Sequence, residues 1–291
     1  MLKTFFNYLT HEKRYSQHTI TSYKTDLLQF QDYIDTTYET SFDDINHQIV
    51  RSWMVELKKQ GNSAKSINRK ISTLRSFYKY LKREGLIEKD PLSRVKSMKP
   101  EKSLPQFVKE SDMTALLDDY TFDPGFRGLR DRLILELLYG TGIRLNELIN
   151  IRDFDINTSE NTLKVLGKRN KERIIPLPVS LLYLIEDYKV ARDQEIKSSD
   201  EILLVTDKGD QCYPMFIYRL VKKHLTHCTT LNKRSPHVLR HTFATHLLNK
   251  GADLNAVKDL LGHAGLAATQ VYTHNSLDKI KTVFDQAHPK A

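Results

Sequence analysis

Between Ser235 and Ser276 the chain reads SPHVLRHTFATHLLNKGADLNAVKDLLGHAGLAATQVYTHNS, which holds five histidines, one arginine and one tyrosine, Tyr272. The leucines, alanines and valines at helical spacing already suffice for an amphipathic helix pair facing a core. The polar residues are surplus to that need. Ser235 and Pro236 predict an N-cap and a first helical position. His237 and Arg240 then share one face of a helix that ends near Gly251. Asp253 predicts the cap of the next helix and Gly262 its end. That leaves His263 at a helix terminus and Tyr272 nine residues further on, in a third helical segment.

Further cations stand upstream. In LRDRLILELLYGTGIRLNELINIRDFDI, Gly140 and Gly142 predict an interruption between two apolar helical stretches, with Arg144 in the first turn of the second and Glu147 on the same face. A helix N-terminus adds open N–H groups and positive partial charge, which suits an anion. A local Arg144–Glu147 pair on an exposed helix is the plainer alternative. In NTLKVLGKRNKERIIPLP, the runs Thr162 to Leu166 and Glu172 to Leu177 flank a turn at Gly167 and predict a β-hairpin, its tip crowded with Lys168, Arg169 and Lys171. A lysine there can donate a proton when neighbouring positive charge lowers its pKa.

No glycine-rich phosphate loop, no H-E-x-x-H and no carboxylate pair at metal-ligand spacing accompanies these residues. A serine-hydrolase elbow is also missing. What remains is a cationic pocket with one phenolic hydroxyl, which suits covalent attack by a tyrosine on a phosphodiester. Guanidinium groups would neutralise the charge that develops on the phosphorus oxygens, while histidines and a lysine move protons. In KHLTHC, His224, His227 and Cys228 lie close together, but no second ligand pair stands nearby, and the expectation is no metal and no cofactor.

Such a pocket needs elements to hold it. The chain has 291 residues and 40% hydrophobic content, enough for two cores. The first hundred residues predict a bundle of roughly four helices. Ser16 caps a helix with Ile20, Tyr23, Leu27, Phe30 and Ile34 on its apolar stripe. A second carries Ile49, Trp53 and Leu57 and ends at Gly61. A third carries Ile67, Ile71, Leu74, Phe77, Tyr78 and Leu81 and ends at Gly85. Residues 91–104, with Pro91 and Pro100 among lysines and serines, predict an extended linker between a domain over 1–90 and a second over 105–291.

The formal net charge is +9, and twelve Lys and Arg stand against four Asp and Glu between Ser63 and Lys102. That concentration predicts a face tracking a duplex backbone rather than a merely solvated one. No apolar run is long enough to span a bilayer and MLKTFFNYLTHEKRYS carries no cleavage site, so the expectation is a soluble, cytoplasmic protein without a membrane partner. Two isolated cysteines, Cys212 and Cys228, fit a reducing compartment.

TGIRLNEL, LGKRNKER, HVLRHTFATHLL, DLLGHAG and ATQVYTH, in that order, resemble the motifs of the tyrosine recombinase (phage integrase) family. The length, the N-terminal helical segment and the lack of an arm-binding domain before it are similar to the Xer subgroup. The resemblance implies a mainly α fold: an N-terminal helical core-binding (SAM-like) domain and a C-terminal mixed α/β catalytic domain with a small hairpin, together clamping DNA. It implies that Arg144 and Arg240 clamp the scissile phosphate and that Lys168 protonates the 5′-hydroxyl leaving group. His237 would assist proton transfer, His263 would hydrogen-bond the phosphate, and Tyr272 would be the nucleophile. Further implications are a 3′-phosphotyrosyl link, strand exchange through a Holliday junction without ATP or metal, and a homo- or hetero-tetramer on two double-stranded DNA sites. A second Xer-type recombinase and an FtsK-type translocase are implied partners, in chromosome dimer resolution. The tail LDKIKTVFDQAHPKA, with Leu277, Ile280, Val283 and Phe284 on one stripe, would dock into a neighbouring protomer. The chain departs from the family pattern at AGLAA after His263, where serines and threonines are common, and at Lys258 in place of glutamine. Alternatives are a mobile-element integrase or DNA-inversion recombinase and a DNA-binding protein of the same fold that no longer cuts; a type IB topoisomerase is related in mechanism but acts as a monomer, against the assembly that the tail suggests.

Overall fold

The computed structural model describes residues 1–100, 106–167, 172–196, 201–262 and 287. The chain forms two compact units, residues 1–104 and 105–291. Lys168, Arg169, Lys171, His263, Tyr272 and the tail stripe Leu277, Ile280, Val283 and Phe284 lie outside the described residues.

The first unit is helical, as its periodicity requires. Helix α1 (Leu2–Asn7) runs into a wider turn over Tyr8–Glu12, followed by α2 (Gln17–Tyr38), α3 (His47–Lys59) and α4 (Ala64–Arg83). Asn46 and Ser63 cap α3 and α4 by accepting from backbone N–H groups of the first turn. The apolar stripes meet in one core, where Phe5, Leu27, Phe30, Trp53, Ile71 and Phe77 are buried. Inside that core lies a carboxylate. Asp26 on α2 is fully buried and accepts from Arg69 Nη1 (2.5 Å) and Nη2 (2.8 Å), Lys70 Nζ (3.2 Å) and Thr73 Oγ1 (2.9 Å), all on α4.

This arrangement revises the reading of the cationic stripe. Lys70 is buried, Arg69 pairs with Asp26, Arg75 donates to the Val95 carbonyl (2.7 Å) and Arg83 pairs with Glu84 (2.7 Å). Part of the local charge excess therefore serves packing. Lys65, Lys79, Lys82, Lys89, Arg94, Lys96 and Lys99 remain on the surface.

Residues 91–98, expected to run free as linker, are instead packed on the first unit. Leu92 and Val95 are buried in its core. Asn68 brackets the Met98 backbone, donating to its carbonyl and accepting from its N–H, both at 2.8 Å. Proline kept this segment out of helix, but two apolar side chains and a ring of side-chain donors still anchor it.

The second unit is built around α6 (Phe126–Thr141), buried on nearly every side. Before it, α5 (Glu110–Thr114) continues into a wider turn over Ala115–Asp119, and after it comes the single turn α7 (Leu145–Leu148). A three-stranded antiparallel sheet follows in the order β1 (Ile156–Asn157), β2 (Thr162–Leu166), β3 (Glu172–Pro176). The hairpin pairs Leu166 with Glu172 and Val165 with Arg173. Helices α8 (Val179–Glu195), α9 (Pro214–Cys228), α10 (Pro236–Asn249) and α11 (Leu254–Leu261) complete the unit, and Ala287 is buried in the same core. Ion pairs satisfy the polar groups that this packing buries: Arg192 with Asp153 (2.8 Å) and Arg130 with Asp207 (2.6 Å).

Candidate active site

The site grows from the end of α6. Gly140 is an internal helical residue, and Gly142 alone stops the helix, in the left-handed region at φ 59°. A Cβ on Gly142 would lie 2.5 Å from Phe243 Cδ1 and 2.7 Å from Leu261 Cδ2, so this turn is closed to any side chain. Two residues later Arg144 is the N-cap of α7 rather than part of its first turn. Its backbone N–H donates to Glu147 Oε2 at 2.8 Å, half of a capping box.

Glu147 is the pivot. Its side chain is 4% exposed, yet it is not one half of a solvated local pair. Arg144 Nη1 donates to Oε1 at 2.7 Å. From β3, Arg173 reaches the same carboxylate with both terminal nitrogens, Nη1 to Oε1 at 2.7 Å and Nη2 to Oε2 at 2.8 Å. Burial alone would raise the Glu147 pKa, but the Arg173 and Arg144 hydrogen bonds and charges outweigh it and hold it at about 2. The carboxylate stays ionised throughout the neutral range.

The third guanidinium is held by helix ends. The last carbonyls of a helix lack intrahelical partners and carry partial negative charge, so they attract cations. Arg240, on the buried face of α10, donates to the carbonyl of Gly142 at the end of α6 and to Leu261 O at the end of α11 (2.6 Å). Arg173 Nε donates to Leu260 O (3.2 Å) and Arg144 Nη2 to Gly262 O (2.7 Å). Three consecutive carbonyls at one helix end are thus each taken by a different arginine. Gly262 must be open for this, because it lies in the left-handed region and a Cβ there would meet Arg173 Cδ at 3.2 Å.

Three guanidinium groups crowd around a single carboxylate, which two of them bond, so positive charge is in excess. Burial, then repulsion from Arg144 and Arg173, lowers the Arg240 pKa to about 10, against a smaller opposing effect of Glu147. Arg240 is still protonated at neutral pH. Such a site has unspent capacity for an anion with several oxygens, phosphate above all.

Of the sequence-predicted residues, the structure brings Arg144 and Arg240 together through shared neighbours. It places His237 one turn before Arg240 on α10, exposed to solvent. In sequence Lys168 falls between β2 and β3 and His263 comes after Gly262; neither is among the described residues, nor is Tyr272. Arg173 was missed. The alternation of β3 puts it on the inward face, where a buried arginine needs a partner, and that signal was available in ERIIP.

Comparison with known proteins bears on the same residues. Residues 106–278 match the phage integrase family, and residues 2–85 match the phage integrase N-terminal SAM-like domain. The chain belongs to this family.

Relatives of this recombinase extend over its whole length. Tyrosine recombinase XerC of Listeria monocytogenes serotype 4b is 40% identical over 290 residues, covering 99% of this chain and 97% of the relative. Tyrosine recombinase XerD of Staphylococcus aureus is 37% identical over 293 residues, covering 100% and 99%. Two solved structures share the fold. The XerH recombinase bound to a palindromic difH substrate, a post-cleavage complex, aligns with TM-score 0.74 at 21% identity, covering 97% of this chain and 82% of that one. A lambda integrase dimer bound to a COC′ core site aligns with TM-score 0.70 at 17% identity, covering 93% and 97%. The protein is a site-specific DNA recombinase of the tyrosine type.

Two buried histidines of the recombinase stand apart from the arginines. His224 Nε2 faces Asp131 Oδ2 at 3.1 Å, and His227 stacks on Tyr120, so KHLTHC is spent on packing α9. His246, on α10, bonds Tyr139 Oη through Nδ1 at 2.9 Å. Among the described residues, no group of three or more His, Cys, Asp or Glu side chains is disposed to hold a metal ion, and no helix is long and apolar enough to cross a membrane.

Proposed function

We propose that the recombinase cuts and rejoins duplex DNA with Arg144 and Arg240 on the non-bridging oxygens of the scissile phosphate and Tyr272 as nucleophile. The bond from the phenolic oxygen to phosphorus forms as the bond to the 5′ oxygen breaks. Lys168 protonates that departing oxygen, His237 assists transfer of the phenolic proton, and His263 hydrogen-bonds the phosphate. The product is a 3′-phosphotyrosyl link that keeps the energy of the phosphodiester, so a 5′-hydroxyl from another strand reverses the step without ATP or metal. The observation carrying this reading is the knot of three guanidinium groups at one helix end, two of them on one carboxylate, which leaves net positive charge where a phosphate must sit.

Repeated on two sites by a tetramer, the step yields a Holliday junction and then recombinants. Full-length likeness to both XerC and XerD proteins supports a role in chromosome dimer resolution in the cytoplasm, alongside a second Xer-type recombinase and an FtsK-type translocase. The exposed lysines of α4 and the segment after it supply phosphate contacts from the first unit.

The test uses purified full-length protein, without metal or ATP, and DNA nicked just 3′ of a candidate scissile phosphate, so that the short fragment diffuses away. Wild type is expected to give a protease-sensitive, slowly migrating adduct and Tyr272→Phe none. DNA binding without an adduct on any chromosomal-terminus site, with or without an added Xer-type partner, would favour the non-cutting alternative.

A further inference from the structure

Arg173 is almost wholly buried, with its side chain 5% exposed, and it faces inward from β3. Its three nitrogens donate to two separate segments. The terminal nitrogens fork onto both oxygens of Glu147, and Nε reaches the Leu260 carbonyl at the end of α11. By contrast the Arg144 side chain donates to only one oxygen of Glu147, Oε1, and is 33% exposed. A carboxylate has about four lone-pair sites, and a free one forks readily onto a single guanidinium. Arg173 occupies the geometry that Arg144 would otherwise take. It also stands opposite Val165 in the hairpin, two residues before Gly167 and the Lys168 that follows. One side chain thus ties together the hairpin, the α7 cap and the α11 terminus that precedes His263.

We propose that Arg173 is a positioning residue for strand cleavage: it holds Glu147 away from full pairing with Arg144 and fixes β3 against the end of α11. This rests on the reading of Arg144 as half of the phosphate clamp. Without Arg173, Glu147 closes on Arg144 with both oxygens, and the clamp loses charge toward the phosphate. Arg173 itself never touches the DNA, so affinity for the duplex, dominated by many phosphate contacts, is hardly altered.

The experiment measures single-turnover cleavage of the nicked duplex at saturating protein, so that the folded fraction does not enter the rate, together with DNA affinity by filter binding. Arg173→Met is expected to slow cleavage by about 10²-fold or more while affinity changes less than about threefold, the scale seen when one preorganised donor is removed. Adding Glu147→Gln to Arg173→Met removes the competing anion and is expected to recover cleavage by about tenfold over the single variant. Arg173→Lys keeps the charge without the fork, falls between wild type and Arg173→Met, and carries the same comparison if the methionine variant does not fold. Wild-type cleavage rates in Arg173→Met or Arg173→Lys overturn the proposal, as does a double variant no faster than its Arg173 parent. Absence of any adduct with wild type would instead strike the phosphate-clamp reading itself.

Discussion

Asp26 in the first unit and Glu147 in the second are both buried carboxylates held by cations, and the two do different work. Asp26 draws Arg69, Lys70 and Thr73 from a single helix, so its hydrogen bonds join α2 to α4 and go no further. Glu147 draws Arg144 and Arg173 from a helix cap and a strand, and those arginines, with Arg240, continue onto carbonyls at the ends of α6 and α11. The first is a clasp between two helices. The second is a junction where five chain segments meet. The difference lies in how many segments supply the partners and in the use of helix ends, both independent of burial depth.

Breaking the junction should show the largest effect, and on chemistry. Arg240→Ala is expected to lower single-turnover cleavage by about 10³-fold, while duplex affinity, measured by salt-dependent binding, is largely kept. Breaking the clasp should act on stability instead. Asp26→Ala leaves Lys70 buried without its carboxylate and is expected to cost about 3–5 kcal/mol in urea unfolding, with cleavage per folded, DNA-bound molecule unchanged. A variant of Asp26 that folds but does not cut would erase the contrast between the two sites.

Acid sharpens the comparison on a smaller scale. The folded-state pKa of Glu147 is depressed to about 2, below its unfolded value, so its contribution is complete above about pH 4.3 and is lost as pH falls toward 2. The stability gap between wild type and Glu147→Gln is therefore expected to shrink by about 2–3 kcal/mol between pH 5 and pH 2. Thermal melts across that range give the answer, and a gap that widens on acidification would contradict the arginine-bound carboxylate.

How far the sequence discloses these sites follows from the range of the interactions. The helix starts at Ser16, Ser235 and Asp253, the stripes of α2 to α4 and the hairpin strands depend on neighbours within a few residues, and they are legible in the chain. Arg144, Arg240 and Glu147 are legible as residues, and the phage integrase motifs mark two of them. What escapes is pairing over distance. Nothing local tells that Lys70 turns inward to Asp26, 44 positions away, or that Arg173 meets Glu147, 26 positions away. Helix α8 escapes for another reason: it buries Leu181, Leu184 and Tyr188 yet exposes Val179, Tyr183 and Val190, so no single apolar stripe announces it. The wrapping of residues 91–98 escapes because Leu92 and Val95 are too few to make a period.

The three arginine-bound carbonyls at Leu260, Leu261 and Gly262 also set a leash. Ten residues separate Gly262 from Tyr272, and a fully extended chain of that length reaches about 35 Å, a helical one about 15 Å. In the proposed reaction, therefore, the reach of the Tyr272 phenol is bounded by the chain that joins it to the helix end these arginines hold. The proposed reaction predicts that inserting or deleting residues between Gly262 and Tyr272 changes where the phenol can arrive while leaving Arg144, Arg173 and Arg240 untouched.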